Sequence, residues 1–329
     1  NVFALDVATG RKLWEFNNPY DKNTDAASSD HSKMADALDN AAPQGTTLFS
    51  KANTTLIDSV YVGDLEGSLW ELDAADGLNQ TSYANQLGGS TCAADGWCNF
   101  PLSNAFWYDP NSYPQPITTL STIFAVPLGL SATSPFVSYA GQPLLAYGTA
   151  GTDAVSSLSY TVTGAVHIFP LTYSGRLQAS DILGPPLTTN VAKTKGLAKE
   201  LAGYPQYVAS GERLYGSIVA SGDHLYFATT KGSVINIDSR GSLSGSTYGI
   251  DLGAAAGSNR TTLTSTAGGA GGTVLVGKTT SGQIRVVTVT DQTINVSASQ
   301  TVQLQAPTIN GQTPTAFLGW FFKAMGHEY

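Results

Sequence analysis

Five stretches of the chain repeat one order of apolar and polar positions. An apolar run, a turn with glycine, a second apolar run and a closing Asp follow one another in VYVGDLEGSLWELDAADG (60–77), and VFALDVATGRKLWEF (2–16) has the same strand–turn–strand form. The order returns in LYFATTKGSVINIDSRG (225–241), and more weakly in LLAYGTAG (144–151) with GAVHIFPLTYSGRL (164–177) and in TVLVGKTTSGQIRVVTV (273–289). Each reads as a β-hairpin. Hairpins repeated along a chain predict a radial β-architecture whose units bury their faces on one another. The expected fold is all-β: a single β-propeller over 1–329, with an incomplete or irregular ring also compatible.

The hairpins are spaced more widely than the ~40–45 residues of a compact blade. Further strands are therefore expected at 117–128 and 207–219. Three segments break the rhythm and read as insertions between strands: 17–47, 78–116 and 177–207. Helices are expected to be short and few, at 28–40 and 191–201. The chain starts in mid-strand at Asn1, which reads as a piece of a longer secreted protein.

Composition narrows the function. Only 12% of residues are charged and the net charge is −8, with no run of Lys or Arg to neutralise phosphates, which argues against nucleic acid. An acidic surface suits a divalent cation or a basic partner. No apolar run reaches the ~18 residues of a membrane-spanning helix. Cys92 and Cys98 flank the Asp95-Gly96 turn signal, and a local disulfide is the preferred reading. Free thiols are the alternative; the spacing is not that of a metal site.

Candidate chemistry is sparse. Asp21, Asn23, Asp25 and Asp30, with Ser29, form either a solvated turn or a Ca²⁺ loop, without the Gly and Glu of an EF-hand. His167 and His224 lie in apolar strands and read as structural, while His31 sits in a polar insertion. No G-x-S-x-G or HExxH accompanies them, and GGAGG at 268–272 lacks the Lys-Ser/Thr of a phosphate loop. Trp97, Phe106, Trp107 and Tyr108 form either a loop packed on its own scaffold or an exposed binding surface. The apolar stretch 316–329 is either a closing strand or a segment that docks on another subunit.

Several stretches together resemble the PilC/PilY family of type IV pilus biogenesis and tip-adhesin proteins. They are VFALDVATGRKLWEF, VYVGDLEGSLWELD, QPITT (115–119) with LLAYGTAG, and SGERLYGSIVASGDHLYFATT (210–230), which follow one another in family order. The resemblance implies a modified, quinoprotein-like β-propeller from the C-terminal half of a large exported protein. It implies a location at the pilus tip outside the cell, minor pilins as partners, an adhesive surface for a host or abiotic receptor, and no catalytic residue. Family members commonly carry a calcium loop before the VYxGD strand. Here its positions read Ser50, Ala52, Thr54 and Asp58, so that site is expected to be lost or weakened. Quinone-cofactor dehydrogenases share the ALD…TG…W blade but usually carry an adjacent Cys pair, which this chain lacks. A secreted scaffold propeller without pilus function is the remaining alternative.

Overall fold

A computed structural model of the chain describes residues 2–16, 45–50, 56–65, 67–75, 77, 101–105, 115–150, 163–171, 198–231, 244–267, 273–278, 284–289 and 294–296. These residues form an all-β structure of five antiparallel sheets. Sheet I is the hairpin β1 (Val2–Leu5) and β2 (Lys12–Phe16). Sheet II is a meander of β3 (Thr47–Phe49), β4 (Ser59–Gly63), β5 (Ser68–Asp73) and β6 (Ser103–Asn104). Sheet III repeats it with β7 (Thr122–Ala125), β8 (Pro143–Gly148), β9 (Ala165–Pro170) and β10 (Gln206–Tyr207).

Sheet IV contains β11 (Glu212–Arg213), β12 (Val219–Ser221), β13 (His224–Ala228), β14 (Thr230–Lys231), β15 (Ser244–Asp251) and β16 (Arg260–Ala267). Sheet V contains β17 (Thr273–Lys278), β18 (Ile284–Val289) and β19 (Ile294–Val296). The described residues include a 3₁₀ turn at Val137–Tyr139.

Successive side chains of a strand point to opposite faces, and in the middle sheets both faces are apolar. Val60, Val62, Trp70 and Leu72 of sheet II join Val2 and Phe16 of sheet I in one core. On the opposite face, Tyr61 and Leu69 join Leu145, Tyr147 and Phe169 of sheet III. Leu144, Ala146, Val166 and Ile168 then meet Leu225, Phe227, Tyr248 and Ile250 of sheet IV. Tyr226 and Ala228 meet Val274, Ile284 and Val286 of sheet V. The sheets therefore stack in chain order with a core between each neighbouring pair. None closes on itself among the described residues. At one end of the series, Phe3, Leu5 and Leu13 on the outer face of sheet I are about half exposed.

Strands β3, β7 and β12 of successive sheets are stitched together. Thr47 Oγ1 of β3 donates to Ser121 O at 2.7 Å, just ahead of β7. Thr122 Oγ1 of β7 donates to Ile218 O, just ahead of β12.

Trp70 shows what the double burial is worth. It is fully buried, its ring lies 5.7 Å from Phe16, and its Nε1 donates to Asp64 Oδ2 at 3.1 Å. Trp70→Ala is expected to lower unfolding free energy by about 3–5 kcal/mol, measured by urea titration.

Four of the five expected hairpins pair as read: β1 with β2, β4 with β5, β8 with β9 and β17 with β18. The fifth needs correction. β13 pairs with β12 on one side and β15 on the other, and the run at 234–237 lies outside the described residues. The expected extra strands contain β7 and β11, and the second ends where β12 starts. The edges of the expected insertions belong to the sheets: Thr47 opens β3, Ser103–Asn104 is β6 and Gln206–Tyr207 is β10.

The helix expected at 191–201 is not helical over its last four residues. Ala198 and Leu201 are both buried, but in different cores, so 198–201 crosses from one core to the next.

Candidate functional site

Three times the chain ends a central strand of a sheet with a small residue and a hydrogen-bonding residue. The pairs are Gly63-Asp64, Gly148-Thr149 and Ala228-Thr229, and the antiparallel partner strand enters at Gly67-Ser68, Gly164-Ala165 and Gly245-Ser246. Each hydrogen-bonding residue is tied twice to the incoming strand. Asp64 N donates to Ser68 O at 3.0 Å while Ser68 N donates to Asp64 Oδ1 at 2.8 Å. Thr149 N donates to Ala165 O at 3.1 Å and Ala165 N to Thr149 Oγ1 at 2.9 Å. Thr229 N donates to Ser246 O at 2.9 Å and Ser246 N to Thr229 Oγ1 at 3.1 Å. The side-chain oxygen closes the strand pair, so the length of chain between the two strands is free to vary.

Two further segments thread between these closures. Gln115-Pro116-Ile117 links sheet II to sheet III. Ile117 N donates to Asp64 O at 2.8 Å and Ala150 N to Pro116 O at 2.9 Å. Thr149 Oγ1 donates to Gln115 Oε1 at 2.7 Å, and Gln115 Nε2 to Thr163 O at 3.1 Å. Glu212-Arg213-Leu214 links sheet III to sheet IV. Gly164 N donates to Glu212 O at 2.7 Å and Leu214 N to Thr149 O at 3.2 Å. The Glu212 carboxylate accepts from Thr229 Oγ1 at 2.6 Å, Tyr248 OH at 2.8 Å and Ser246 Oγ at 3.0 Å. Glycine makes room: a Cβ on Gly63 would stand 2.3 Å from Ile117 Cγ2, and one on Gly148 would stand 2.4 Å from Leu214 Cδ2.

The same end of the stack bears three connections. Ala105 N donates to Gly67 O at 2.7 Å, so 106–114 is bracketed there by Ala105 and Gln115. Residues 151–162 are bracketed by Ala150 and Thr163, and 232–243 by the paired Lys231 and Ser244. The flanks of 78–100 and 172–197 differ: each of these connections leaves from the far end of a sheet, after Asp73 and Pro170.

Equivalent strand positions also carry a ring paired with a carboxylate. Trp70 bonds Asp64, Tyr248 bonds Glu212, and His167 Nδ1 lies 2.5 Å from Glu200 Oε1. On the other face of sheet II, Glu71 Oε1 accepts from Ser59 Oγ and Tyr61 OH, both at 3.0 Å. Burial, then the nearby Glu71, pushes the Tyr61 phenol well up. Burial and its bond to Glu212 push Tyr248 up. His224 Nδ1 meets Asp223 Oδ1 at 2.7 Å and its ring stacks on Tyr226. Burial, then Asp223 and Asp251, raises the Tyr226 phenol to about 12.

Asp21, Asn23, Asp25, Asp30, Ala52, Thr54, Cys92, Trp97, Cys98, Phe106, Trp107 and Tyr108 lie outside the described residues. Of the expected degenerate calcium loop, Ser50 and Asp58 are described. Asp58 N donates to Phe49 O at 2.9 Å and Ala74 N to Asp58 O at 3.1 Å. Among the described residues, no three His, Cys, Asp or Glu side chains converge as metal ligands. Reading the sequence missed Thr149, Glu212 and Thr229 as structural keys. For Thr149 and Thr229 the signal was a small residue followed by Thr, ahead of the glycine that opens the partner strand.

No protein-family model matches the chain, and no curated protein matches it. Among solved structures it is similar to the C-terminal domain of Pseudomonas aeruginosa PilY1, with 16% identity and a TM-score of 0.42. That alignment covers 78% of this chain and 61% of the PilY1 domain, so the chain spans less than two thirds of that domain's length. The computationally designed Ika8 protein aligns over 84% of this chain and 74% of its own, with 10% identity and a TM-score of 0.21.

Proposed function

We propose that the chain is a β-propeller of the PilC/PilY kind, acting in type IV pilus biogenesis and at the pilus tip by recognition rather than catalysis. One observation carries the reading. The segments that resemble the family, VYVGDLEGSLWELD, QPITT, LLAYGTAG and SGERLYG, are far apart in sequence yet bond to one another at a single end of the stack. Asp64 O meets Ile117 N, Gln115 meets Thr149, and Thr149 O meets Leu214 N. Resemblance spread along a chain by chance has no reason to converge in this way.

That end is also where 106–114, 151–162 and 232–243 are anchored. A stiff array of sheets suits binding, because connections anchored on it can differ in sequence without disturbing the cores. In this reading minor pilins engage the Phe106-Trp107-Tyr108 loop, aromatic anchors supply most of the affinity, and the remaining surface meets a host or abiotic receptor. The acting location is the cell surface, and neither a quinone nor Ca²⁺ is required.

The test is capture of a purified minor-pilin complex by the immobilised chain. Phe106→Ala/Trp107→Ala/Tyr108→Ala is expected to weaken capture by at least about tenfold, an effect of hot-spot size, with thermal unfolding unchanged. Equal capture by the variant, no capture by the wild type, or alcohol oxidation on adding quinone and Ca²⁺ would each overturn the proposal.

A further inference from the structure

We propose that His167 and Glu200 form a proton-sharing clasp, which holds segment 198–207 against sheets II and III and gives the fold a bell-shaped stability in pH. Both side chains are almost fully buried, and His167 Nδ1 lies 2.5 Å from Glu200 Oε1. The imidazole stacks on the Tyr147 ring at 4.7 Å with the planes 3° apart, and Tyr147 OH shares a 2.8 Å hydrogen bond with Ser103 Oγ of sheet II. On either side of Glu200, Ala198 N donates to Leu102 O and Leu201 N to Ile168 O, both at 2.9 Å. Glu200 reaches sheet III through His167, while the backbone of Ala198 ties the same segment to the edge of sheet II. That segment follows directly on 172–197, so the clasp also fixes the anchor of that insertion.

The chemistry of the pair is a matter of proton count. With one proton between them, the two groups are neutral overall whichever atom bears it. Gaining or losing a proton leaves a net charge in an apolar interface, which is strongly unfavourable. Glu200 Oε2 has no hydrogen-bond partner among the described residues, which makes a bare carboxylate there poorer still. Burial pushes the Glu200 carboxyl up, against the opposing pull of His167.

In an unfolded chain, ordinary His and Glu values of about 6.5 and about 4.3 leave one proton on the pair only between those two pH values. Above about 6.5 the folded pair binds more protons than the unfolded, and stability falls as pH rises; below about 4.3 the unfolded pair binds more, and stability falls as pH falls.

Among the described residues, the ionisable groups near the pair include Tyr147 on β8, Tyr204 in the same segment, and Tyr61 and Glu71 on sheet II, with Lys199 beside Glu200 in sequence. Burial pushes Tyr61 and Tyr204 upward, so both stay neutral across the window. All five are retained in every variant below, so differences between variants report the pair alone.

The experiment is urea unfolding from about pH 3 to about pH 9, with amide exchange read at Ala198 and Leu201. Relative to the double variant His167→Gln/Glu200→Gln, the wild type is expected to be most stable between about pH 4.3 and 6.5. Outside that window the folding constant should fall by up to about tenfold per pH unit, one proton's worth of linkage. Each single variant keeps one limb. In His167→Gln the buried carboxyl stands alone, so its contribution is full at low pH and is lost as pH rises from about 4.3. Glu200→Gln removes that carboxyl, and with it the loss of stability at high pH. Curves that shift in height but keep one shape across all four proteins would overturn the clasp. So would exchange at Ala198 and Leu201 that ignores pH.

Discussion

Gly245→Ala is expected to lower stability by about 3–5 kcal/mol, the sum of overpacking against backbone and two broken hydrogen bonds. A Cβ at this position would stand 2.0 Å from Thr229 O, 3.0 Å from Thr229 C and 3.3 Å from Thr230 Cα. All three obstacles are backbone, so no rotamer change relieves them. The strands must separate, breaking the paired bonds between Thr229 and Ser246 and opening the core that Tyr248 shares with Phe227. Such a loss is a large part of the ~5–15 kcal/mol that holds a typical domain together. Gly277→Ala is the control, because a Cβ there meets nothing within 4 Å. Urea midpoints should separate the two variants widely. Similar midpoints would show that the approach of β15 to Thr229 is not tight.

Glu212→Ala comes next, at about 3–5 kcal/mol, because it removes the acceptor that serves three buried hydroxyls. Thr229 Oγ1 keeps a weaker bond to Ser246 O at 3.2 Å, whereas Ser246 Oγ and Tyr248 OH are left with each other once the carboxylate is gone. Glu212→Gln retains an acceptor oxygen and should lose less. A spectroscopic consequence separates this from general loosening. Burial raises the Tyr248 phenol first and the Glu212 bond adds to it, so ultraviolet titration of folded Glu212→Gln should show Tyr248 ionising at lower pH than in the wild type. An unmoved titration would mean that the carboxylate does not face the phenol.

The four hairpins that read correctly are those whose two strands are adjacent in sequence or equally periodic. Val62 and Trp70 face each other across a four-residue turn, so a local pattern contained the pairing. The partner of β13 was misread for a physical reason. GSVINID and SGSTYGI both offer a glycine followed by a strand-like run. They are told apart by Gly245 fitting against Thr229 O and by Ser246 N reaching Thr229 Oγ1, contacts that no periodicity encodes. Two-residue strands such as β6 and β10 are too short to show alternation at all. The helix expected at 191–201 failed at its end because Ala198 and Leu201, three apart, serve two different cores.

The candidate site divides along the same line. Its motifs were legible as strings, while their meeting was not. Gln115 and Thr149 are 34 residues apart, and Glu212 lies 34 residues from Ser246. The buried charges were less legible still. Charge alone assigns Glu71, Glu200 and Glu212 to the surface, yet each lies in a core boundary opposite a ring or hydroxyls that come from elsewhere in the chain.

Alternation of apolar side chains is a local property. It was enough to specify β-strands, their hairpin partners and the fact that both faces must be covered. Which strand completes each sheet, and which carboxylate meets which ring, depended on close backbone approach at glycines and on desolvated hydrogen bonds. Those energies exist only once distant segments are brought within about 3 Å of each other.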